Sequence, residues 1–132
     1  MNSFNAKVVT PEGETYNGTP IKVTLRTLTG EIGILARHTD YIAAVDTCIV
    51  RITEENALVS AVCSGGFLTI DKGELTLICN TFETADEIDR AALDSRLLQL
   101  EERIALCRDE REKKILKAEQ KRLKLKEQII NE

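Results

Sequence analysis

Residues 21–25, Ile21-Lys22-Val23-Thr24-Leu25, carry an apolar side chain at every second position. An extended chain has that two-residue period. Ile21, Val23 and Leu25 fall on one face, so the segment reads as a half-buried strand. A slip of one residue would send all three to solvent, which specifies the register firmly. Upstream, Phe4-Asn5-Ala6-Lys7-Val8 repeats the pattern. Downstream, apolar runs at Tyr41–Val45, Cys48–Ile52, Ala57–Val62, Phe67–Ile70 and Leu75–Cys79 read as further strands. Pro11-Glu12-Gly13, Asn17-Gly18, Thr53-Glu54-Glu55-Asn56 and Asp71-Lys72-Gly73 read as the turns between them. Ser64-Gly65-Gly66 marks a bulge or a close approach of two backbones. Many short strands with frequent turns predict an antiparallel β-sandwich. Thr29–Asp40 reads instead as a long connection carrying Ile32, Ile34 and Leu35 between its glycines. Apolar residues in such a loop either plug the end of the sandwich or face a partner.

The period changes at Thr84. Leu93, Leu97, Leu100, Ile104 and Cys107 follow steps of four and three, the stripe of a helix docking along one seam. Asp89 is a candidate N-cap, with Thr84 and Glu87 as an alternative capping box. A second stripe holds Ile115, Leu116, Ala118, Leu123, Leu125, Ile129 and Ile130. Between the stripes, Asp109 and Glu112 form a capping box that restarts a helix. Asp109–Lys113 and Glu110–Lys114, as i,i+4 pairs, support one continuous helix through the same residues. Each effect is worth a few tenths to about 1 kcal/mol, so hairpin and extended arm are both open. The expected organisation is α+β: a sandwich over residues 1–83, then a mobile two-helix unit over 84–132 folded as an antiparallel hairpin.

Charge follows the same division. Residues 1–82 hold 9 acidic and 6 basic side chains, whereas residues 83–132 hold 13 and 12. Within the second half, residues 83–112 carry net −5 and residues 113–132 net +4. Folded antiparallel, the helices attract one another. Extended, the basic tip of Lys113, Lys114, Lys117, Lys121, Arg122, Lys124 and Lys126 is offered to an acidic partner. The 132 residues contain no run of 18 apolar positions, and no basic region followed by an apolar stretch opens the chain. A bilayer span and a secretory signal are therefore not expected. The net charge of −4, without Trp and with five Phe and Tyr, argues against nucleic-acid binding.

Cys48, Cys63, Cys79 and Cys107 are widely spaced, and three lie in apolar runs, as expected of reduced structural thiols in a cytoplasmic protein. The single His38 lacks partners at metal-ligand spacing and no phosphate loop or nucleophile elbow occurs, so neither a metal nor a catalytic site is expected.

Thr29-Gly30-Glu31-Ile32-Gly33-Ile34-Leu35 followed by His38, then Val62-Cys63-Ser64-Gly65-Gly66-Phe67, then two charged helices, resemble the epsilon subunits of F-type ATP synthases over essentially the whole chain. The resemblance implies a non-catalytic rotor-stalk subunit on the cytoplasmic face of the cell membrane. Its sandwich would bind the gamma subunit and the membrane c-ring, with Glu31, Ile32, Ile34 and His38 as contact candidates. Its helices, extended along gamma into the alpha/beta head, would inhibit ATP hydrolysis through the basic tip. Membrane association would run only through the complex. No cofactor is required, but some family members bind ATP as a regulatory ligand through an Ile/Leu-Asp-x-x-Arg-Ala motif. Ile88 and Asp89 match its start, while its Arg-Ala positions hold Ala92 and Leu93. Arg90 is rotated about 200° from the missing guanidinium, and Glu83, Arg96 and Arg122 are further candidates. The alternative to this family is a free-standing β-module adaptor whose Leu93–Cys107 stripe forms a coiled-coil self-association arm.

Overall fold

The computed structural model describes residues 2–132, which cluster into two compact units divided between Thr84 and Ala85. The first unit contains ten strands: β1 (Ala6–Thr10), β2 (Gly13–Gly18), β3 (Lys22–Thr27), β4 (Gly30–Leu35), β5 (Tyr41–Val45), β6 (Cys48–Thr53), β7 (Leu58–Cys63), β8 (Gly66–Asp71), β9 (Glu74–Cys79) and β10 (Phe82–Thr84). They run in the order β10-β7-β6-β3-β5-β8-β9-β1-β2, with β4 added on β3. The sheet folds over where β3 meets β5, held by Thr27 opposite Val45 and by amide bonds from Leu28 to Ala44 (3.1 Å) and from Asp46 to Arg26 (3.0 Å). The result is a nearly closed sandwich. Its core is one cluster drawn from both halves, including Val23, Leu25, Ile34, Ile52, Leu68 and Leu77. The pairings are antiparallel except for β1 with β9, which is parallel.

Two expectations for this unit are corrected, and a third, open between two readings, is resolved. Thr29–Asp40 is not a single long connection, because its first half is β4, paired with β3 from Lys22–Leu35 to Thr27–Gly30. Leu28-Thr29 suffices as the turn because Gly30 adopts φ +133°, and Thr27 Oγ1 bonds the Gly30 carbonyl at 2.9 Å. Secondly, Asn17-Gly18 is not a turn but the end of β2, an edge strand too polar to show any apolar period. A Cβ on Gly18 would stand 2.5 Å from the Tyr16 phenol oxygen, so a larger residue there would have to displace that ring. That phenol donates to Glu54 Oε2 at 2.8 Å, tying β2 to the β6–β7 turn. Burial first, then the carboxylate, raises the Tyr16 pKa. Thirdly, Ser64-Gly65-Gly66 is a close approach, since a Cβ on Gly66 would overlap the Ile78 carbonyl oxygen across the β8–β9 ladder.

The second unit is a turn of 3-10 helix (Ala85–Glu87) followed by α1 (Arg90–Leu106) and α2 (Glu110–Ile130). Asp89 caps α1, accepting the amides of Ala91 (3.0 Å) and Ala92 (3.3 Å), so the Thr84–Glu87 box is not the cap used. Asp109 caps α2 through the Arg111 amide at 2.9 Å. The helix therefore breaks at Cys107–Asp109, and the hairpin is formed rather than the continuous arm. Leu93, Leu97, Leu100, Ile104 and Cys107 pack with Leu116, Leu123 and Ile130. The α1 stripe is thus occupied inside the hairpin, which removes the seam that a self-association arm would need.

Candidate protein interface

Side chains of β5, β8 and β9 alternate between core and exterior, and the exterior set mixes apolar residues (Ile42, Ala44, Phe67, Ile78) with polar ones (Thr69, Asp71, Glu74, Thr76). Cross-strand register places Ala44, Phe67 and Ile78 in one row and Ile42, Thr69 and Thr76 in the next. Val9 continues the first row on β1. Ile42 is 77% exposed, Phe67 61% and Ile78 51%. Isolated exposed apolar residues are ordinary, but a contiguous row of them with Ile42 alongside makes this face a candidate interaction surface. These residues were not candidates in the sequence, although a signal was present. Antiparallel strands with one wet face should alternate, whereas Tyr41–Val45 is apolar throughout and Leu75–Ile78 is broken only by Thr76. Apolar residues on both faces imply that both faces become covered.

The predicted contact residues separate. Glu31 is exposed on the outside of β4, Ile32 is half-buried, and Ile34 is fully in the core. Ile34 is therefore corrected from a partner contact to a core residue, because strand alternation points it inward. Leu35, beside it, is exposed instead. His38 is half-buried, with Nδ1 2.8 Å from the Thr39 carbonyl oxygen and its ring 5.9 Å from that of Tyr41. Among the described residues no group of His, Cys, Asp and Glu is arranged to hold a metal ion.

In the helical unit, Ile88 packs at the margin of the hairpin core and the Asp89 carboxylate is engaged as the cap. Arg90 Nη2 donates to Asn131 Oδ1 at 2.6 Å, and Arg96 forms a forked pair with Glu119 at 2.8 and 2.9 Å. The first bond links the start of α1 to the end of α2 and the second joins their interiors, as antiparallel helices require. The Arg96 hydrogen bonds hold the Glu119 pKa below the usual carboxylate range, and Glu119 in turn raises that of Arg96. Of the predicted basic tip on α2, Lys114, Lys117, Lys121 and Lys124 are exposed, and Lys113, Arg122 and Lys126 are half-buried.

The geometry defines a class: a β-sandwich presenting an apolar sheet face, with a charged helical hairpin appended. Residues 3–85 match the ATP synthase delta/epsilon chain β-sandwich domain. The chain is 36% identical over 90 residues to the ATP synthase epsilon chain of Staphylococcus aureus, covering 67% of each. It is 30% identical over 105 residues to that of an Exiguobacterium species, covering 79% of this chain and 77% of the relative. Its fold is similar to that of a chain in the cryo-EM structure of the Euglena gracilis mitochondrial ATP synthase OSCP/F1/c-ring assembly. There the TM-score is 0.82 at 19% identity, over 96% of this chain and 80% of that one. The chain belongs to the ATP synthase epsilon family.

Proposed function

We propose that this chain is a non-catalytic subunit of the rotor stalk, coupling the catalytic head to the membrane c-ring through the gamma subunit. The observation that carries this role is the apolar row Ala44, Phe67 and Ile78 with the exposed Ile42 beside it on the outer face of β5, β8 and β9, which serves as the docking surface for gamma. Glu31 and the β3–β4 hairpin are assigned to the c-ring side, and His38 to the margin of the gamma contact. No helix among the described residues is long and apolar enough to cross a membrane. Attachment to the cytoplasmic face of the cell membrane accordingly runs through the complex.

The helical unit inhibits ATP hydrolysis in the same proposal. It opens from the hairpin, extends along gamma, and presents the basic α2 segment from Lys113 to Lys126 to the alpha/beta head. The support is the thin punctuation between the helices. Three residues and one short-range cap separate α1 from α2, and such a cap is worth about 1 kcal/mol. A partner that binds the extended form better shifts the population by its differential affinity. Of the groups considered for ATP, Asp89 is engaged by helix amides and Arg96 by Glu119. These contacts support the reading that the subunit requires no cofactor, and heat released on calorimetric titration with ATP would overturn it. Deleting residues 85–132 is expected to preserve assembly and raise ATP hydrolysis by the complex. Unchanged hydrolysis with normal assembly would count against inhibition by the helices.

A further inference from the structure

α2 carries two apolar stripes, and the hairpin uses one of them. Leu116, Leu123 and Ile130 recur at every seventh residue and pack with the α1 stripe. Ile115, Ala118, Leu125 and Ile129 form a second line, about 120° round the helix from the first. Among the described residues the hairpin core includes none of these four. Ile115 is 70% exposed and Ala118 is exposed, whereas Leu125 is half-buried and Ile129 buried. The second line has the phase of α1. Leu93, Leu97, Leu100, Ile104 and Cys107 advance by steps of four and three. If the helix ran unbroken through Arg108-Asp109, the same steps would continue to Arg111, Ile115, Ala118, Arg122, Leu125 and Ile129. Leu116, Leu123 and Ile130 would leave that seam. The hairpin also keeps Arg122 Nε buried without a hydrogen-bond partner among the described residues, a cost that opening removes.

Resting on the inhibitory role above, we propose that α1 and α2 fuse into one continuous helix when the unit extends. Its partner-facing seam runs from Leu93 through Cys107 to Ile115, Ala118, Leu125 and Ile129. The break at Cys107–Asp109 contains neither Gly nor Pro, so its residues are compatible with helix. Asp109–Lys113 and Glu110–Lys114 then act as i,i+4 pairs in place of the Asp109 cap. Steps of four and three along the whole seam suit knobs-into-holes packing against a partner helix. Arg111 and Arg122 fall within the seam, where their aliphatic stems cover apolar surface while the guanidinium groups reach the flank. Lys114, Lys117, Lys121 and Lys124 are exposed and follow the same steps about 100° to one side. The partner that fits is a helical surface with an apolar groove and carboxylates along one flank. One sequence thus encodes a different apolar face of α2 for each state: the first stripe closes the hairpin, and the second holds the extended arm on its partner.

Nitroxides carried by unnatural amino acids at the exposed positions Leu98 and Gln128 spare the native cysteines. Pulsed electron spin resonance reads their separation in the reconstituted complex. An unbroken helix puts these positions about 45 Å apart, whereas the hairpin holds them within about 20 Å. The expected result is a population near 45 Å. Its ratio to the compact population should fall about 5- to 30-fold in Ile115→Gln, because only the extended form covers that side chain. Leu106 is 82% exposed but lies off the seam, so Leu106→Gln should leave the ratio unchanged. Both substitutions are at exposed positions and should keep the thermal midpoint of the isolated chain. Distances between these two values would show an arm that extends with its break retained, which overturns the continuous seam and leaves the inhibitory role standing. Distances of about 20 Å alone would overturn both. Equal shifts in Ile115→Gln and Leu106→Gln would refute the seam, and a 45 Å population that grows in the isolated chain with its concentration would assign the seam to a second copy instead.

Discussion

Replacing Ile42, Phe67 and Ile78 together by Thr tests the proposed docking face while keeping β-branched residues in the strands. Full burial of an Ile or Phe side chain contributes about 1.5–3 kcal/mol relative to exposure. Phe67 has 61% of its surface left to bury, so covering it supplies about 1–2 kcal/mol. Its loss should weaken association roughly 5- to 30-fold. With Ile42 at 77% and Ile78 at 51%, the three together supply about 3–6 kcal/mol, or roughly 10²- to 10⁴-fold. The assay titrates the fluorescently labelled chain onto ATP synthase depleted of this subunit and reads anisotropy. Because the residues are exposed, the thermal midpoint of the isolated variant should change little. A triple variant that folds normally yet binds within threefold of the parent would refute the assignment of this face.

Three further outcomes are expected. Gly66→Ala should cost about 3 kcal/mol or more, read as a lower urea midpoint, because the added methyl overlaps the Ile78 carbonyl on a paired strand. A loss below about 1 kcal/mol would show that β9 yields more easily than its ladder implies. Lys72→Asn should stabilise by about 0.5–1 kcal/mol, since Lys72 sits at φ +51° in a two-residue turn with Gly73, where Asn-Gly is favoured. Glu119 has a lower pKa folded than unfolded, so its pair with Arg96 adds stability fully present above the unfolded value of about 4.3. That contribution is lost as pH falls through the lower folded value. Thermal melts of wild type and Glu119→Gln should therefore differ at neutral pH and converge in acid, and a gap that persists at pH 2 would exclude this linkage.

Ile42, Phe67 and Ile78 show how the sequence and the structure divide the information. Their strands were legible because apolar runs bounded by turn residues admit little else, but which side chains point outward depends on the neighbouring strands. Ile34 is the converse case. Two flanking glycines hid a strand whose alternation places that residue in the core and leaves Leu35 outside. β2 escaped notice because an edge strand needs no apolar face, and its ladder with β1 is a main-chain property.

Local pattern alone determined the sandwich, the switch to helical period after Thr84 and the stripe from Leu93 to Cys107, and it offered Asp89 and Asp109 as caps. Each rests on interactions between residues a few positions apart, which the sequence displays directly. Tertiary structure decided what depends on contacts between distant segments. It gave β1 a parallel partner in β9, closed the helices into a hairpin where local free energies were balanced, and joined Ala44, Phe67 and Ile78 into one exposed row. It also set Cys48 directly opposite Cys63 in the β6–β7 ladder.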